Sequence, residues 1–162
     1  AEQANVDFVW VHGASTVLES TLAYSLNSRG VPCLVVEMGV GMRITRSIGD
    51  QMTEGIFNLM KTLGIWQGEV GEIRKPVVSA DPEEVFFLNA SRSGIFVQEA
   101  RHNTYLKKGD SIGKVIDPLE GTVLEDVVSP EDGLLFTIRE YPVVDEGSLM
   151  ARILRTKERQ ED

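Results

Sequence analysis

A carboxylate that ends an apolar run and is followed by small residues is well placed to take up and return a proton. Glu37, in Val35-Val36-Glu37-Met38-Gly39-Val40-Gly41, has that setting. Open α/β sheets bind ligands at the carboxyl edge of their strands, and apolar neighbours are what tune a carboxyl for general acid–base work. The same placement serves an ion pair or a helix cap, so Glu37 alone leaves both readings open. Other reactive side chains are sparse. His12, followed by Gly13-Ala14-Ser15, and His102, between Arg101 and Asn103, are the two histidines. The first reads as a structural or supporting residue at a strand end, the second as a solvated loop residue. The single cysteine, Cys33, lies in the apolar run Val31 to Val36, which excludes an intrachain disulfide and points to a buried thiol in the reducing cytoplasm.

The elements that must position these residues follow from periodicity. Asp7 to His12 is rich in β-branched and aromatic residues and reads as a strand, followed by hydroxyl caps at Ser15 and Thr16. Val17, Leu18, Leu22 and Leu26 then recur at helical spacing. Gly30 stops that helix, and Cys33 to Val36 reads as a buried parallel strand. Ile44, Ile48, Met52, Ile56, Leu59, Met60 and Leu63 keep a period near 3.6 and mark a long amphipathic helix closed by Gly64. Residues 1–66 are therefore expected to form an α/β fragment of order strand-helix-strand-helix, too narrow a sheet to cover itself. Residues 67–82, with Gly68, Gly71, Pro76 and Pro82, read as a linker that includes a strand near Ile73 to Val78. Residues 83–156 read as all-β, with strands at 85–88, 94–97, 111–116, 122–128, 134–139 and 149–154, and residues 157–162 as a charged tail that frays.

The β-region repeats itself. Leu106 to Ile116 aligns without a gap on Val144 to Leu154, and Ser93 to Val97 on Asp132 to Phe136. Two copies of one strand-turn-strand unit predict a pseudo-twofold structure in which each half covers the other's apolar face. This pattern resembles the lipoyl and biotinyl carrier fold, in which a hairpin bears the modified lysine. The hairpin position here is Asp117-Pro118-Leu119-Glu120-Gly121, with no amine to acylate. The barrel-sandwich fold is kept and the swinging-arm chemistry dropped.

Taken in order, the features resemble the succinylglutamate desuccinylase/aspartoacylase family. They are the apolar strand, a helix, the Glu37-Met38-Gly39 strand end, a helix through Gly55-Ile56-Phe57-Asn58-Leu59-Met60, and a β-domain with Gly109-Asp110, Asp117-Pro118 and Ser129-Pro130-Glu131-Asp132-Gly133. The resemblance spans nearly the whole chain. It implies a zinc carboxypeptidase-like α/β domain followed by a β-domain, and hydrolysis of the amide between an acyl group and an amino acid or related amine. It also implies that Glu37 is the general base acting on zinc-bound water. The family's zinc ligands, a His-x-x-Glu pair and a later histidine, lie upstream of the strand with which this sequence begins. Neither His12 nor His102 belongs to such a motif, and catalytic zinc takes about three protein ligands. No metal ligand is therefore assigned here, and the chain reads as the C-terminal portion of a zinc enzyme, inactive alone. The alternative is a non-catalytic binding or oligomerisation module in which Glu37 is structural.

Composition narrows the partners. There are 25 acidic against 16 basic residues, a net charge of −9, with the cations scattered, so no nucleic-acid footprint is expected. No apolar run approaches the roughly 20 residues of a membrane span, and no signal segment opens the chain. The expected partner is a small N-acyl substrate, with homo-oligomerisation open.

Overall fold

The computed structural model describes residues 1–12, 18–79 and 81–155. The caps expected at Ser15 and Thr16, and the tail from 157 to 162, lie outside the described residues. The chain divides into two compact units, Ala1–Pro82 and Glu83–Asp162.

In the first unit, β1 (Phe8–Trp10) pairs in parallel with β2 (Val77–Ser79), with Val9 opposite Val78. Between them lie α1 (Leu22–Asn27) and α2 (Arg46–Thr62). α1 starts later than the Val17 spacing suggested, because Thr21 is its cap: the Thr21 hydroxyl accepts from Tyr24 N–H at 3.2 Å. α2 matches the amphipathic stretch and closes through backbone bonds from Leu63 and Gly64. Cys33 to Val36 does not form the expected buried parallel strand. It has no strand partner among the described residues, Leu34 and Val35 are 50% and 70% exposed, and Cys33 is half-buried. The buried residues described in this unit are Ala4, Asn5, Gly55, Pro76 and Ser79. Not one large aliphatic side chain is among them, so the apolar run has nothing to pack against and no ladder to join.

The second unit closes properly. β3 (Val85–Asn89), β4 (Gly94–Gln98), β5 (Thr104–Leu106), β6 (Ser111–Ile116), β7 (Val123–Val128), β8 (Gly133–Ile138), β9 (Val143–Val144) and β10 (Leu149–Arg155) form two antiparallel sheets. Their orders are β3-β10-β8-β5 and β7-β6-β4-β9. Matching strands as the sequence repeat does, β4 with β8, β5 with β9 and β6 with β10, turns one order into the other, with β3 and β7 as corresponding edges. Gly109 and Gly147, equivalent in the repeat, both take positive φ, 92° and 85°, in equivalent turns. Between the sheets, Phe96, Leu106, Ile112, Val115, Val127, Leu135, Val144, Met150 and Ile153 make one core.

Gly94 and Gly133 are a second equivalent pair, and they are small because strands pass close. A Cβ on Gly133 would lie 2.3 Å from the Leu154 carbonyl oxygen, and one on Gly94 would lie 2.7 Å from that of Ile116. Gly133→Ala must therefore push backbone apart, and is expected to cost about 1–3 kcal/mol, as overpacking does. Urea unfolding measures this, and an unchanged midpoint would refute the close packing.

Candidate active site around Glu37

Glu37 stands on a tethered loop rather than at the end of a paired strand. On its N-terminal side the Asn27 amide, at the end of α1, clasps Cys33: Asn27 Nδ2 donates to the Cys33 carbonyl and Asn27 Oδ1 accepts from the Cys33 N–H, both at 3.0 Å. One side chain thus supplies the two bonds that a neighbouring strand would have offered. On the other side, Gly39 takes φ +63° and Met42 φ +62°, turning the chain back toward Thr45, whose carbonyl accepts from Ile48 and Gly49 as α2 begins. Glu37 is exposed, not sheltered by apolar neighbours as the sequence suggested. Among the described residues its carboxylate has no hydrogen-bond or ion-pair partner. Among the described residues it is therefore neither a helix cap nor half of a salt bridge.

The two histidines belong to different compact units. His12 follows β1, is exposed, and stacks on Trp10 with ring centroids 4.3 Å apart and planes tilted by 37°. His102 lies in the other compact unit, exposed in the loop between β4 and β5. Among the described residues no three His, Cys, Asp or Glu side chains are grouped to hold a metal ion. The described residues therefore do not fit a zinc centre by themselves.

One organising residue gave no signal in the sequence. Asn5, 2% exposed and at φ +53°, donates to the Gln51 carbonyl at 3.0 Å and accepts from the Arg74 N–H at 2.9 Å. It ties the N-terminal segment to α2 and to the approach to β2. Beside it an open cavity of about 310 Å³ is lined by Asn5, Ser47, Asp50, Glu54, Glu72 and Arg74, and Glu37 is not among its walls. Asn5 is an isolated polar residue outside any periodic stretch, so only the fold reveals its burial.

The order of an α/β unit followed by a two-sheet β-unit is a fold that this chain shares with solved structures of succinylglutamate desuccinylase/aspartoacylase proteins. The solved structures that it resembles include the product-bound ectoine utilization protein EutE (DoeB) of Ruegeria pomeroyi, at 16% identity and a TM-score of 0.77, covering 94% of this chain and 46% of that one. A succinylglutamate desuccinylase/aspartoacylase of Rhodobacter sphaeroides matches at 17% identity and a TM-score of 0.75, covering 99% and 48%. A succinylglutamate desuccinylase of a Silicibacter species matches at 18% identity and 0.75, covering 94% and 47%. The chain thus spans about half the length of the solved structures it matches. No protein-family model and no curated protein matches the sequence. Among the described residues no helix is long and apolar enough to cross a membrane.

Proposed function

We propose that this chain is the C-terminal portion of a zinc-dependent amidohydrolase that removes the acyl group from N-acyl amino acids or related amines, acting in the cytoplasm, with Glu37 as general base. The observation that carries this reading is the state of Glu37: exposed, without a partner among the described residues, and held on a loop anchored at Asn27 and turned at Gly39. In this role the carboxylate takes a proton from the attacking water and delivers it to the leaving amine, so that an amide bond is exchanged for a carboxylate and a free amine. A saturated ion pair at Glu37 would instead have favoured a purely structural module. On this reading the zinc ligands, a His-x-x-Glu pair and a later histidine, lie upstream of this chain in the full-length protein.

The test compares the 162-residue chain with the full-length protein on a panel of N-acetyl and N-succinyl amino acids, read by release of free amine. The chain alone is expected to release none and to keep no stoichiometric zinc after dialysis, because its ligand set is incomplete. The full-length protein should deacylate at least one substrate and lose that turnover to a chelator. One tightly held zinc per isolated chain, or no amine release by the full-length protein, sinks this reading.

A further inference from the structure

Glu37 sits between two fixed points of the first unit, and a single side chain makes one of them. α1 closes on Gly30 in the left-handed conformation, at φ 77°. There the Gly30 N–H donates to the Asn27 carbonyl and the Val31 N–H to the Leu26 carbonyl, both at 3.0 Å. The ring of Pro32 then fixes its own φ, and the Asn27 amide holds both backbone groups of Cys33 at 3.0 Å. Residues 26–33 thus form one rigid corner. The second fixed point is Gly39. A Cβ placed on it would lie 3.7 Å from Ile48 Cδ1 and 4.0 Å from Thr45 Oγ1, so its backbone runs beside the first turn of α2. Between the two points, residues 34–38 make no backbone–backbone hydrogen bond among the described residues, and Glu37 stands in that span.

The clasp needs a carboxamide. Only such a group both donates to a carbonyl and accepts from an N–H of the same residue, as a neighbouring strand would. Aspartate would set a charged oxygen against the Cys33 carbonyl, and alanine would offer nothing. Asn27 is exposed, and its side chain makes no other hydrogen bond among the described residues. Its one task is therefore to fix where the Glu37 segment begins. Without it the corner ends at Val31, and the unsupported span grows from residues 34–38 to residues 32–38. A catalytic group displaced by only about 1 Å can lose on the order of 10²-fold in rate.

We propose that Asn27 is a positioning residue for deacylation: its clasp on Cys33 sets where the Glu37 carboxylate meets the attacking water. The proposal rests on Glu37 being the general base, and the experiment separates the two. In the full-length protein, Asn27→Ala should lower kcat by about 10- to 100-fold, with KM and the melting midpoint close to the parent's. Asn27→Asp, which keeps only the bond from the Cys33 N–H, should not restore turnover. Amide exchange over residues 33–37 should quicken in Asn27→Ala while that of α2 does not. On a Glu37→Gln background, Asn27→Ala should lower kcat by less than about twofold further, because a residue that acts only through Glu37 has nothing left to position. A merely structural asparagine would instead lower the midpoint and multiply its loss with that of Glu37→Gln. The proposal is overturned by an Asn27→Ala or Asn27→Asp kcat within about threefold of the parent, by unchanged exchange over residues 33–37, or by losses that multiply in the double variant. If Glu37→Gln alone leaves kcat unchanged, the general-base reading fails and takes this proposal with it. That result needs no Asn27 variant, so the two failures are told apart.

Discussion

Glu37→Gln in the full-length protein is expected to lower kcat by about 10²- to 10⁴-fold, the usual contribution of a general base, while bound zinc and the melting midpoint stay as in the parent. Glutamine keeps the shape of the side chain and much of its hydrogen bonding but has no basic oxygen, so the loss belongs in the chemical step rather than in KM. The structure sharpens the control. Because Glu37 is exposed and unpartnered among the described residues, its substitution removes no cap and no ion pair, and its effect on stability should stay within about 0.5 kcal/mol. A structural glutamate would behave the other way, with stability altered and turnover untouched. Measuring kcat, zinc content and melting on one preparation separates the two. A kcat within about threefold of the parent, far below the general-base range, rules Glu37 out as the base.

The second large effect lies in the β-unit. Ile153, fully buried on β10, and Leu135, fully buried on β8, face the centre of the single core. Cutting either to alanine removes buried methyl groups and leaves a void that close-packed neighbours fill poorly, so each should cost about 2–5 kcal/mol. Their equivalents in the repeat are Val115 and Phe96, both in the same core. Phe96→Ala should therefore be as damaging as Leu135→Ala, at about 3–5 kcal/mol. Urea unfolding followed by far-UV circular dichroism measures all three. A loss below about 1 kcal/mol at Ile153, well short of the range for buried aliphatic truncations, would show that the core is not packed as described. By contrast, truncating Val35, which is 70% exposed, should change stability by no more than about 0.5 kcal/mol.

Several features were legible because they are set locally. Helix α2 announces itself through aliphatic residues at a period near 3.6, and the turns at Gly109 and Gly147 through a repeated glycine that its backbone conformation demands. The internal repeat was enough to expect two matching sheets, because two similar units with one apolar face each must cover one another. Glu37 could be singled out by type and neighbours, and its resemblance to a catalytic glutamate came from the order of the elements around it. What the sequence could not decide is everything that depends on a distant partner. Cys33 to Val36 has the composition of a buried strand, but a strand exists only where another backbone completes its hydrogen bonds. Here the Asn27 amide took that place at Cys33 while the rest of the run stayed exposed. Ladder pairing instead went to Val9 and Val78, far apart in the chain. Periodicity records which side chains favour burial; only the tertiary structure decides which of them find cover.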